Sequence, residues 1–180
     1  MEFEVVVPEV AELREGEPAE VVLENARRKA GAGLELVGEG GVVVLGVDTD
    51  VALDGKLLGK AGGGEEARER LRALSGRTHE VLSGVVLLGT DAVCANNASV
   101  AADVGERSGV ATSHVTFRDL DDATLTMYLR SGEWRDRAGA YAIQGLGAIL
   151  VEELRGDFSN VVGLPLALLL DLAPELGKFL

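Results

Sequence analysis

Cysteine is almost missing from these 180 residues. Cys94 is the only one, which excludes an intrachain disulfide and a thiolate metal cluster. Histidine is nearly as scarce, and His79 and His114 are too far apart in sequence to form a local histidine metal motif. Positive charge is also in deficit. A formal net charge of −13 leaves no basic excess to neutralise a nucleic-acid or anionic-membrane surface. A small anionic ligand stays compatible where Lys and Arg gather locally with a divalent cation. Long hydrophobic runs are lacking too: Val161 to Leu170 is interrupted by Gly163 and Pro165 and is too short to span a bilayer. Acidic Glu2 and Glu4 stand where a signal peptide would carry basic residues. The expectation is a soluble protein of the reducing cytoplasm. With a hydrophobic fraction of 47%, the chain can bury a core of its own, as a single domain spanning 1–180.

Several catalytic signatures are absent. Between Gly55 and Lys60 only three residues separate the glycines, and Ala61 stands where a phosphate loop needs Ser or Thr. No GxGxxG follows a strand pattern and no GxSxG elbow occurs. Asp157-Phe158-Ser159 has no accompanying kinase motifs. Without a visible side-chain nucleophile, metal-assisted attack by water fits the residue inventory better.

Strand and helix patterns alternate along the chain. Glu2 to Val7 alternates and then runs apolar up to Pro8, which predicts a strand. Pro18 begins a helix with Val21, Val22, Leu23, Ala26 and Ala30 on a broad apolar face, ending in the basic Arg27, Arg28 and Lys29. Those cations suit either a ligand or a solvated helix end. Glycines at 31, 33, 38, 40 and 41 then punctuate the chain. An amphipathic helix is predicted over 65–74, strands over 80–88 and 110–117, and a helix over 121–130. A strand over 148–154 and a helix from Pro165 to Asp171 complete the pattern, while 89–108 carries no clear signal. The alternation predicts an α/β domain with a mixed sheet.

The stretch Gly40 to Lys60, GGVVVLGVDTDVALDGKLLGK, carries the densest chemistry. Val42 to Val47 reads as a strand buried on both faces, ending at the tip in Asp48-Thr49-Asp50. Val51 to Leu53 leads to Asp54-Gly55, a hairpin turn signal, and the chain returns to Lys60. Acids at a strand end with a lysine nearby are how α/β folds build phosphate and metal sites. The alternative is that these acids cap a strand and solvate a turn.

The segments GVDTDVALDGKLLGK, LRALSGRTHEVLSGV, RAGAYAIQGLGA and SNVVGLP, in this order, resemble the Maf family of nucleoside triphosphate pyrophosphatases. Gly-x-Asp-Thr together with Ile-Gln-Gly is similar to the branch acting on dTTP and UTP. The resemblance implies an elongated α/β fold, similar to inosine triphosphate pyrophosphatases, with two lobes around a cleft, and a homodimer. It implies hydrolysis of dTTP or UTP, or of modified pyrimidine nucleotides, to the monophosphate and pyrophosphate, with Mg²⁺ or Mn²⁺ as cofactor. Asp48 falls on the family's proton acceptor, and Thr49 and Gln144 fall on positions linked to base selection. Lys29 and Lys60 match basic cleft positions that offset triphosphate charge. Glu9, with Asp48, is a candidate metal ligand. Arg137 stands where the family commonly has lysine, with a surface ion pair to Asp136 as the alternative.

Family members begin with a strand and a Ser-x-Ser-Pro-Arg-Arg loop that binds phosphates, and no such motif occurs in these residues. Ala61 replaces a proline usual after Gly-Lys, and Ala11 an acid. The expectation is a start codon assigned too late. The rival expectation is a catalytically impaired nucleotide-binding or septum-formation regulatory protein.

Overall fold

The computed structural model of the chain describes residues 3–37, 42–89 and 105–179. Cys94 and most of the segment without a sequence signal lie outside them. Helix α1 (Pro18–Val37) precedes strand β1 (Val43–Leu53) and the short β2 (Lys56–Leu57). Helix α2 (Gly64–Leu74), strands β3 (Thr78–Gly89) and β4 (Arg107–Phe117) and helix α3 (Asp122–Ser131) follow. Strand β5 (Val151–Arg155) and helices α4 (Phe158–Val162) and α5 (Leu166–Leu172) close the order, with 3-10 turns at Leu146–Leu150 and Pro174–Phe179. The expected α/β class is present, but the mixed sheet expected with it is not found among the described residues. The five strands form one sheet in the order β2-β1-β3-β4-β5, and every described pairing is antiparallel.

Strand β1 differs from its sequence reading in two ways. It runs unbroken from Val43 to Leu53, so Asp48, Thr49 and Asp50 sit inside the strand rather than at its tip. The ladder to β3 carries straight through them, pairing Asp48 with Gly84, Thr49 with Ser83 and Asp50 with Leu82. Nor is the apolar run buried on both faces, since Val43 is 50% exposed and Leu45 39%. Its outer neighbour β2 is only two residues long and pairs at the far end of the strand. The hairpin turn expected at Asp54-Gly55 is present: Asp54 (φ 52°) and Gly55 (φ 73°) both take the left-handed conformation of a tight two-residue turn.

Two other expectations are corrected. Residues 3–7 are not a strand, because no described strand lies alongside to supply a ladder. Phe3, Val5 and Val7 point outward, and Val6 approaches Gly33. Helix α1 does not end near Gly31 but runs to Val37, so Arg27, Arg28 and Lys29 lie mid-helix. Packing on the sheet overrides the low helix propensity of these glycines. The short helix α4 was not anticipated; Asp157 caps it by accepting from the Ser159 amide at 2.7 Å.

The two faces of the sheet have different covers. On one, Val22, Ala26 and Ala30 of α1 pack with Ala52, Leu82 and Val86. Contact is close enough to reach the backbone: a Cβ at Gly46 would stand 2.3 Å from the Ala26 carbonyl oxygen, and one at Gly84 2.3 Å from that of Val22. The other face carries the larger core, in which Val51, Val81, Val115 and Phe117 meet Leu71, Leu74, Leu125 and Tyr128. His79 is buried there, edge-on to Phe117 and Tyr141, with Nε2 hydrogen-bonded to the Tyr141 hydroxyl at 2.9 Å.

Gly84→Ala forces helix and sheet apart and is expected to destabilise the protein by about 1–3 kcal/mol, read by urea denaturation. Burial pushes the His79 pKa down to about 4. The folded state therefore keeps His79 neutral while the unfolded chain protonates it near its ordinary value of about 6.5. Stability falls as pH drops from about 6.5 to about 4, by about 3 kcal/mol. Denaturation midpoints measured across that window check this, and His79→Gln should flatten the profile.

Candidate functional site

Because side chains alternate along β1, Asp48 and Asp50 face α1 while Thr49 faces the opposite side. On α1, Asn25 and Lys29 are one helical turn apart and share a face. The backbone contact at Gly46 and Gly84 sets that face directly over Asp48. Lys29 Nζ donates to Asp48 Oδ1 at 2.5 Å, and Asn25 Nδ2 donates to Asp48 Oδ2 at 3.1 Å. Lys29 also pairs with Glu12 Oε1 at 2.7 Å. Asn25 in turn ties down the segment that carries Glu12: its Oδ1 accepts from the Leu13 amide at 2.7 Å and its Nδ2 donates to the Leu13 carbonyl at 3.0 Å.

This cluster walls a pocket of about 230 Å³, lined by Glu12, Arg14, Asn25, Asp48, Asp50, Lys60 and Arg70 among others. Lys29 reaches it through Asp48 and Glu12. Lys60 reaches it from the chain after β2, where it bridges Ala138. Asp50 accepts from the amides of Val51 (2.7 Å) and Gly59 (2.9 Å).

Charge in the pocket is held in specific forms. Burial pulls the Lys29 ammonium down, but hydrogen bonds to Asp48 and Glu12 outweigh it and the pKa lies above the usual lysine value. The hydrogen bond from Lys29 holds Glu12 below the ordinary carboxylate range. Burial raises Asp50, opposed by the two amides it accepts from.

The sequence candidates divide among three places. Lys29, Asp48 and Lys60 gather around this pocket. Gln144 lies instead on a neighbouring pocket of about 330 Å³, with Glu133, Arg135 and Arg137. The two pockets are joined along the chain, since Ala138 lines one and Arg137 the other. No ion pair links Arg137 to Asp136, whose backbone is left-handed (φ 57°). Thr49 borders the first pocket, but its hydroxyl lies 2.7 Å from the Ser83 hydroxyl and donates to the Gly163 carbonyl at 3.4 Å. Glu9 is exposed in the irregular segment before α1.

Glu12, Asn25 and Arg70 join the pocket without a mark in the sequence reading, whereas Asp50 belongs to the acid group named there. Asn25 carried a readable signal, its spacing from Lys29; Glu12 sits in a polar segment with none. No group of three or more His, Cys, Asp or Glu side chains converges among the described residues. Glu12 and Asp48 are nevertheless oxygen donors sharing one cation, and a magnesium-type ion uses one or two carboxylates completed by substrate phosphates and water. The donor chemistry fits such an ion.

Comparison with known proteins adds independent findings. The family profile described as "Maf-like protein" matches residues 1–176. A Deinococcus radiodurans protein named dTTP/UTP pyrophosphatase is 43% identical over 176 residues, covering 97% of this chain and 83% of the relative. One of the same name from Anaeromyxobacter dehalogenans is 48% identical over 150 residues, 83% of this chain and 70% of its own length. A third, from Pyrococcus furiosus, is 39% identical over 166 residues, or 92% and 78%.

Lys29→Met leaves Glu12 and Asp48 facing each other without their cation. The variant is expected to lose about 1–3 kcal/mol at neutral pH, between the exposed and buried ion-pair ranges. The pKa of Glu12 is lowered in the folded state, so its contribution is present above the ordinary value near 4.3 and is lost as pH falls. The gap between wild type and variant should therefore narrow below about pH 4, as read by denaturation at stepped pH.

Proposed function

The chain belongs to the Maf family, and from that premise we propose that it hydrolyses dTTP and UTP to the nucleoside monophosphate and pyrophosphate. The observation that carries this reading is the pocket in which Asp48, held by Lys29 and Asn25, faces Lys60. The names of relatives at 39–48% identity support the substrate class.

The reaction needs a water oxygen to bond to the α-phosphorus as the anhydride bond to the β-phosphate breaks and pyrophosphate leaves. Asp48 is the group to orient that water and accept its proton. An ionised carboxylate has about four acceptor sites, so the bonds from Lys29 and Asn25 leave capacity for a water. These two bonds also fix the carboxylate in one rotamer, which general-base geometry requires. Lys29 and Lys60 offset the negative charge that moves onto the leaving group. Glu12 and Asp48 would hold a divalent cation, Mg²⁺ or Mn²⁺, with substrate oxygens; Glu12 is better placed than Glu9, being the acid already joined to Lys29. Such an ion supplies electrophilic neutralisation of the phosphates.

Gln144, on the adjoining pocket, suits the pyrimidine edge, because its amide both donates and accepts as the O4/N3–H pattern demands. Thr49 acts on selectivity from behind the strand, through Ser83 and the Gly163 carbonyl. The protein works as a homodimer in the cytoplasm, a placement compatible with the absence of any helix, among the described residues, long and apolar enough to cross a membrane.

Asp48→Asn keeps size and shape but cannot take the proton. It is expected to lower kcat for UTP by about 10²–10⁴-fold with a much smaller change in KM. Pyrophosphate release measured with Mg²⁺ or Mn²⁺ across a nucleotide panel checks this. Unchanged turnover by the variant refutes the role of Asp48.

A further inference from the structure

Lys60 stands in a run that should be loose. Gly59 precedes it, and Gly62, Gly63 and Gly64 follow, giving a backbone with few steric limits. Yet side chains from outside the run grip the peptides around it. Asp50 accepts from the Gly59 amide at 2.9 Å. Arg70 donates through Nη1 to the Gly59 carbonyl at 2.5 Å, and the Gly139 amide donates to the same oxygen at 3.0 Å. Arg70 Nη2 bonds Glu66 Oε1, and Glu66 Oε2 accepts from the Gly62 amide at 2.6 Å. Three charged side chains from β1 and α2 thus hold both polar groups of Gly59 and the amide of Gly62, leaving only Lys60 and Ala61 between the two grips.

We propose that Asp50, Arg70 and Glu66 form a positioning bracket for Lys60, fixing the backbone from which its ammonium reaches the pocket before any nucleotide arrives. The bracket rests on the reading of this pocket as a triphosphate site. Arg70 lines the pocket and is itself a cation, so it could instead contact phosphate. Its bonding argues against that: both terminal nitrogens are engaged, one by a carbonyl and one by a carboxylate, and its side chain is only 16% exposed. Lys60, in contrast, is exposed at the pocket. The left-handed backbone of Gly59 (φ +60°) shows the same constraint, for a Cβ there would meet no atom within 4 Å. Glycine is needed for its conformation rather than for space. Ordering the loop beforehand removes an entropy penalty from binding, and the release of one residue's backbone is enough to alter affinity about tenfold.

The test uses the full chain with Arg70→Met, Asp50→Val, Asp50→Asn, Lys60→Met and the double variant Arg70→Met/Lys60→Met. Hydrogen–deuterium exchange without nucleotide should speed up over residues 58–63 in Arg70→Met while β3 stays protected; unchanged exchange in the loop overturns the bracket. With UTP, Arg70→Met and Asp50→Val should raise KM about tenfold with little change in kcat, whereas Asp50→Asn, which keeps the acceptor for the Gly59 amide, should stay near wild type. The double variant should be no worse than Lys60→Met alone. Additive losses mean that Arg70 meets the phosphates itself and overturn the positioning role. Binding of α,β-methylene-UTP by calorimetry repeats the cycle without turnover, so a wild type that binds but does not hydrolyse sinks the catalytic reading and leaves the bracket to the same comparison. A wild type that does neither sinks the nucleotide reading, and the exchange result alone then decides the bracket.

Discussion

Helix α1 rests on the bare backbone of β1 and β3. At Gly46 and Gly84 there is no side chain to hold the layers apart, and the carbonyls of Ala26 and Val22 occupy the space a Cβ would take. Layers normally stand off by the thickness of their side chains, as stacked sheets do at about 10 Å. Here the gap is closed at one spot, and Gly84 is the residue paired with Asp48. The short side chain of Asn25 can therefore reach a carboxylate on the strand beneath, and Lys29 can lie over it with its ammonium turned sideways to Glu12. The apolar contacts of Val22, Ala26 and Ala30 hold this arrangement, so core packing and site geometry are one property rather than two.

For an acidic protein, a triphosphate substrate of the kind proposed requires cations kept apart from its own carboxylates or shared with them. Both solutions are present. Lys29 is shared between two acids, which keeps it charged and half-buried. Lys60 is kept apart: Asp50 accepts from the amides of Val51 and Gly59, Glu66 from that of Gly62, and Asp48 and Glu12 in the same pocket are already paired with Lys29. Arg70 bonds the other oxygen of Glu66 and so neutralises part of that charge. The distribution of charge within a few residues matters here more than the overall excess of acid.

Sequence patterns exposed much of this and missed the rest for definable reasons. The amphipathic helices, the long β3 and β4 and the Asp54-Gly55 turn follow from local periodicity and turn chemistry. The extent of β1 did not, because polar Asp48-Thr49-Asp50 resembles a strand end unless its partner β3 is known to continue. The run of α1 through Gly31 and Gly33 depends on packing that no local propensity encodes. The gathering of Lys29, Asp48 and Lys60 could be anticipated by resemblance alone, not by spacing. Asn25 was legible as the helical neighbour of Lys29. Glu12 and Arg70 were not, since each acts through a backbone group or an ion brought from elsewhere in the fold.

Asp48 and Thr49 are consecutive, yet they serve opposite faces of the same strand: one turned to α1, the other to Ser83 and the turn at Gly163. A strand divides its labour by parity. Inserting or deleting a single residue within β1 between the Gly46 contact and Asp48 would exchange the two faces, sending the hydroxyl toward Lys29 and the carboxylate into the interior behind. The lineage of this fold should therefore hold the count of residues along β1 as tightly as their identity.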